Sequence, residues 1–115
     1  MSINLTSGQA LRLWHQANLH MVLDEEPDLS VRQMAILLTI YLETPPHTVR
    51  GLADKLKVSK PVITRALDSM GILGLVSRRR DEKDKRNVLI QRTVDGALYL
   101  EKLADMIVKQ AHQQE

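Results

Sequence analysis

A mainly α-helical fold carrying one small β-hairpin is predicted by three features of this chain. Two short helices joined by a tight turn lie between Thr48 and Met70, a pair of β-rich segments follows them directly, and an amphipathic helix stands at each end. Helix-turn-helix and then hairpin is the order of a winged helix. The expected class is therefore a winged helix-turn-helix, α+β, with N- and C-terminal helices for dimerisation. It reads as a single domain over residues 1–115: N-terminal helix 7–26, helix-turn-helix 48–70, wing 75–92 and C-terminal helix 94–112.

The first helix is capped at Thr6 or Ser7, and Leu11, Trp14, Asn18, Met21 and Val22 lie near one face, with Leu13, Ala17 and Leu19 widening the apolar band. So broad a band asks for more than one partner. The acidic stretch from Asp24 to Asp28 ends it, because Pro27 disfavours helix at Glu26. Ser30 caps the next helix, whose Met34, Ile36, Leu37, Leu38, Ile40, Tyr41 and Leu42 are apolar nearly all round, which predicts the most buried helix of the domain. Glu43 to Thr48 is a stiff linker with a short edge strand near His47.

Thr48 caps the first helix of the helix-turn-helix, and Leu52, Ala53 and Leu56 recur on one face. Lys57 and Val58 make the turn, Ser59 is the second N-cap, and Pro61 sits in the first turn, where a missing N–H costs little. In the second helix Ile63, Leu67 and Met70 face the core, which turns Lys60, Pro61, Val62, Thr64 and Arg65 outward as a probe. The bland reading of this segment alone is an ordinary helical hairpin.

After Gly71 and Gly74, Leu75 to Arg79 and Asn87 to Thr93 flank the charged tip Arg80 to Arg86. Gly74-Leu75-Val76, then Arg78, Asp81, Asp84 and Arg86, follow a G-L-V…R-x-x-D-x-x-D-x-R spacing, and Thr93-Val94-Asp95-Gly96 follows as T-x-x-G. With Leu29-Ser30 opening an earlier helix, these residues resemble the MarR-like (multiple-antibiotic-resistance regulator) winged helix-turn-helix transcription factors over roughly Leu29 to Leu100. Pro61 and Val62 depart from that pattern, standing where hydroxyl residues are common. The resemblance implies a dimeric regulator of transcription.

Thr93 caps the last helix, in which Ala97, Leu100, Ala104, Ile107, Val108 and Ala111 make one stripe and Leu98, Leu103 and Met106 add flank. The two terminal helices carry more apolar surface than a small core covers. Association is expected through Leu11, Trp14, Met21, Leu100, Leu103 and Ile107, since burial returns roughly 25 cal/mol per Å².

At 115 residues and 43% hydrophobic the chain can bury one modest core. It has no apolar run near the length of a membrane span and no cysteine, so a cytoplasmic, nucleoid-associated location without thiol chemistry is expected. The net charge of +2 hides an asymmetry: Thr48 to Arg92 holds 12 Lys/Arg against 5 Asp/Glu, and the remainder holds 4 against 9. Basic charge gathered on probe helix and wing is the footprint of a duplex-facing surface.

Enzyme readings fail on inventory. His15, His20, His47 and His112 are scattered and read as surface groups, no metal-ligand spacing or phosphate-binding glycine loop occurs, and a tip crowded with basic residues gives Asp81 and Asp84 no dry pocket. Asp84 is expected to pair with Arg86 or Arg80. No cofactor is expected. The predicted partners are double-stranded DNA and a second copy, with room for an unidentified small-molecule effector. The expected DNA-contacting set is Thr48, Ser59, Lys60, Pro61, Val62, Thr64, Arg65, Arg78, Arg80, Lys83, Asp84, Lys85 and Arg86, the probe helix in the major groove and the wing in the minor groove. The alternative is a winged helix used as a protein-interaction or scaffold module.

Overall fold

A computed structural model of the chain describes residues 3–25 and 27–114. In chain order it contains α1 (Ser7–Leu23), α2 (Val31–Leu42), β1 (His47–Thr48), α3 (Val49–Leu56), α4 (Lys60–Ile72), β2 (Val76–Arg80), β3 (Val88–Arg92) and α5 (Val94–His112). It divides into two compact units, Leu29–Tyr99 and the pair Met1–Asp28 with Leu100–Glu115.

The larger unit is built on local signals that the chain states plainly. Ser30 Oγ accepts from the Gln33 N–H while the Gln33 side chain accepts from the Ser30 N–H, a reciprocal box that closes two orphan donors at the start of α2. Ile36, Leu37 and Ile40 of α2 and Ile63, Leu67 and Met70 of α4 are wholly buried, and Leu52, Ala53, Leu75, Val76 and Ile90 complete the core around them. α2, predicted to be the most buried helix, shares that place with α4: it has fewer exposed positions, and α4 has more buried ones. Val31 and Leu42 lie exposed at the two ends of α2, and α4 buries Ala66 in addition to its three larger residues.

The sheet has the order β1-β3-β2, antiparallel throughout, with Ile90 of β3 opposite both His47 and Arg78. The edge strand expected near His47 is therefore present. α4 ends in a Schellman turn: Gly74 takes φ +77°, its N–H donates to the Gly71 carbonyl (3.0 Å), and the Leu75 N–H donates to the Met70 carbonyl (3.0 Å). This turn lets the chain leave the helix directly into β2. At the far end of the hairpin, Arg92 Nε donates to the Ile40 carbonyl (2.8 Å) and its Nη2 to the Glu43 carbonyl (3.0 Å), so a cation closes the C-terminus of α2. Thr93 Oγ1 accepts from the Gly96 N–H (2.9 Å) and opens α5 as expected.

The smaller unit holds α1 and the rest of α5. Thr6, with Gln9, caps α1 by the same reciprocal box, and the helix stops at Leu23 with Asp24 extended, short of the predicted 26; Glu26 lies outside the described residues. Gln9 Nε2 donates to the Gln114 carbonyl (2.7 Å), and the side chains of Gln110 and His20 meet at 3.0 Å. The stripe predicted on α5 is rotated. Leu100, Leu103, Met106 and the buried Gln110 turn inward, while Ala97, Ala104, Ile107 and Val108 lie exposed. Leucine and methionine offer more area to bury than alanine, and Gln110 reaches His20, so that line is favoured over the neighbouring one. Leu11 and Trp14 remain 70% and 60% exposed. Among the described residues no helix is long and apolar enough to cross a membrane.

Candidate nucleic-acid interface

The probe helix is aimed by its anchors. Thr48 Oγ1 accepts from the Gly51 N–H (3.0 Å) to start α3, and Lys57 ends it in the left-handed region at φ 58°. The Val58 N–H donates to the Ala53 carbonyl (3.1 Å), which sets the tight turn. Ser59 stands at the N-cap of α4, as predicted, but its hydroxyl makes no capping bond; its carbonyl alone accepts from the Val62 N–H (3.1 Å). With Ile63, Leu67 and Met70 in the core, Lys60, Pro61 and Arg65 are exposed and Val62 and Thr64 are half-buried.

The hairpin tip is shaped by its carboxylates. Asp81 Oδ1 accepts from the Lys83 N–H (2.9 Å), and Asp84 Oδ1 accepts from the Arg86 N–H (3.1 Å), so each folds the backbone two residues ahead of it. Arg86 Nε and Nη2 also reach Asp84 Oδ1 (3.0 Å) and Oδ2 (3.2 Å), a two-pronged pair in which the arginine side chain is 91% exposed and the aspartate is half-covered. The Arg86 guanidinium first, and its N–H second, hold the Asp84 carboxyl below the ordinary carboxylate range. Arg86 is thus presented to solvent on a fixed stem. Arg80 Nη1 donates to the Lys85 carbonyl (3.1 Å) and braces the same tip.

Two predicted residues serve in ways the sequence did not specify. Arg78 is bound to Asp68 of α4 (2.7 Å), so its charge ties β2 to the probe helix. His47, read as a surface group, is only 8% exposed, and its Nε2 lies 3.2 Å from the Glu43 carbonyl. Its burial follows from its place opposite Ile90 on the sheet.

Six of the predicted residues, Thr48, Lys60, Val62, Arg65, Asp84 and Arg86, line two clefts of the larger unit. One, of ≈ 430 Å³, is lined by Thr48, Arg50, Lys60, Asp84, Arg86 and Asn87 with Val49 and Val88, and so joins the starts of α3 and α4 to the wing. The other, of ≈ 360 Å³, runs between the start of α2 and the exposed side of α4 and is lined by Ser30, Arg32, Gln33, Val62, Arg65, Ala66 and Ser69. Lys83 and Lys85 stand exposed at the hairpin tip, and Ser59 and Pro61 are exposed at the head of α4. Arg32, Arg50 and Asn87 were missed from sequence. The signal for the two arginines was available: each lies two residues beyond a capping hydroxyl, Ser30 or Thr48. Among the described residues no group of three or more His, Asp or Glu is placed to hold a metal ion.

Comparison with known proteins agrees with this geometry. The model of the MarR family matches residues 29–88. Over 73 residues the chain is 40% identical to an organic hydroperoxide resistance transcriptional regulator of Bacillus subtilis (strain 168), a match that takes in 64% of this chain and 48% of the relative. The chain thus spans about half the length of that curated relative. In three dimensions it is similar to a MepR–DNA complex of S. aureus (TM-score 0.73, 18% identity, 94% of this chain and 83% of that one). It is also similar to a mutant MarR of E. coli complexed with operator DNA (TM-score 0.70, 25% identity, 93% and 74%).

Proposed function

The chain belongs to the MarR family, and from that premise we propose that it is a sequence-specific, duplex-DNA-binding transcriptional regulator acting as a homodimer. The observation that carries this reading is the shared basic face. Arg65 and Lys60 on α4 and Arg86 on the wing are exposed on one unit, and Asp84 is already committed to holding Arg86 in place. In this reading α4 enters a major groove and the wing reaches the adjacent minor groove, where negative potential is deepest over narrow A·T tracts. Thr48, Ser59, Pro61, Val62, Thr64, Arg80, Lys83 and Lys85 complete the contact set, while Arg78 acts through Asp68. The complexes of MepR and E. coli MarR with DNA support the same use of the fold. A protein-interaction scaffold has no need for positive charge on both helix and wing.

Leu11 and Trp14 of α1, with Ile107 of α5, form the surface through which a second copy docks, and the half-buried Met21, Leu100 and Leu103, expected there from sequence, lie at its base. The exposure of Leu11 and Trp14 supports this assignment, because apolar patches of that kind mark association surfaces. The regulator acts without a catalytic step, in the cytoplasm at the nucleoid.

Titration of duplex DNA by fluorescence anisotropy across a salt series tests the reading. A homodimer meeting about 8 phosphates should give a log K against log salt slope near −7. A slope shallower than about −2 would overturn it.

A further inference from the structure

We infer that Arg32 and Arg50, at the heads of α2 and α3, are the phosphate seats that set the register of α4 on the duplex; this rests on the DNA-binding reading above. The two residues line separate clefts, and α4 contributes to both: Lys60 beside Arg50 in one, Val62, Arg65 and Ser69 beside Arg32 in the other. The balance of charge in each cleft is positive. Asp84 in the first is consumed by Arg86, which leaves Arg50 and Lys60 uncompensated, and the second has no acidic lining at all. Lys55 and Arg78, by contrast, are neutralised by Glu43 and Asp68. Among the described residues neither Arg32, Arg50, Lys60 nor Arg65 has an ion-pair partner.

Like charges gathered in a cleft repel one another, and a polyanion laid across it relieves that repulsion while releasing its own counterions. Arginine presents a planar fork that fits phosphate oxygens in a two-pronged bond. Neither arginine belongs to α4, so neither is carried into the groove with the base-reading side chains. Their contribution is to position, and it should be blind to sequence.

The experiment compares wild type with Arg32→Gln, Arg50→Gln and Arg50→Lys, and with Lys109→Ala on the exposed surface of α5 as a charge control. Each is titrated over a salt series against a duplex selected by the wild type from a random pool and against an unselected duplex of equal length; far-ultraviolet circular dichroism checks the fold. Each Gln variant should flatten the slope by about 2 for the homodimer, since one phosphate is lost per protomer. It should weaken both duplexes by the same factor, roughly tenfold, leaving their ratio unchanged. Arg50→Lys should keep the slope, and Lys109→Ala should change nothing. Unaltered slopes in folded Gln variants beside a steep wild-type slope would overturn this inference alone. A loss confined to the selected duplex would make the arginines base readers and would overturn it as well. A wild type without salt-dependent binding would overturn the DNA-binding reading itself.

Discussion

The hydroxyl of Tyr41 occupies the space that a side chain at Gly96 would need. A Cβ built at Gly96 would overlap the Tyr41 oxygen and the Leu75 carbonyl. The same hydroxyl accepts from the Thr93 N–H (2.9 Å) and donates to the Leu75 carbonyl (2.8 Å), so one tyrosine of α2 closes the junction where the wing ends and α5 begins. Gly96→Ala is therefore expected to cost about 3 kcal/mol, through overpacking against atoms that cannot retreat without breaking those bonds. Urea unfolding checks this. A cycle with Tyr41→Phe should show strong non-additivity, because removing the hydroxyl also removes part of the overlap.

The Arg78–Asp68 pair should matter more for shape than for stability. Both side chains are partly exposed, so a double-mutant cycle of Arg78→Ala and Asp68→Ala should give a coupling of only about 0.2–1 kcal/mol. Duplex affinity should nevertheless fall in each single variant, since β2 loses its tie to α4. A coupling well above that range in urea unfolding would mean that the pair is part of the core.

Wing order should be insensitive to pH until acid is reached. Asp84 has a lower pKa in the folded wing than in the unfolded chain. Its contribution is therefore complete above the unfolded value and is lost as pH falls through the folded one. The Asp84 carboxyl carbon, followed by nuclear magnetic resonance, should keep one chemical shift through neutral pH and titrate with a midpoint below the ordinary carboxylate value. Arg86→Ala should return that midpoint toward the ordinary carboxylate range, since the guanidinium is the first cause of the shift.

Arg65 and Arg86 should separate reading from holding. Arg65→Ala should cost about 1–3 kcal/mol on a selected duplex and little on an unselected one. Arg86→Ala should weaken both, with any loss of preference confined to A·T content in the flanks. Paired titrations at one salt concentration distinguish the two, and the reverse pattern would exchange the roles of helix and wing.

Association is expected to fail when charge enters the terminal helices. Trp14→Glu with Ile107→Glu, both at exposed positions, should leave helicity intact and give monomers by light scattering. A dimer unchanged by the double substitution would place the interface elsewhere.

Features that rest on neighbours a few residues apart were legible in the chain alone. The capping pairs Thr6–Gln9 and Ser30–Gln33 close between residues three apart, and Ile63, Leu67 and Met70 repeat at helical spacing, so helix starts and the inward face of α4 could be read directly. The turn at Lys57 and Val58 and the hairpin tip from Arg80 to Arg86 belong to the same local class. Long-range packing settled what depends on groups far apart in the chain. Arg92 closes the end of α2 across fifty-two positions, and Asp68 claims Arg78. His47 is covered because a strand from the wing lies against it. The rotation of the α5 stripe is of this kind too: two apolar lines overlap along the helix, and the contact of Gln110 with His20 of α1 belongs to the one that turns inward. The two basic clefts are likewise assembled from separate helices and a hairpin. Periodicity within one segment carries no information about which other segment it will meet, because that choice is made by packing and by the few polar groups that must find a partner once water is excluded.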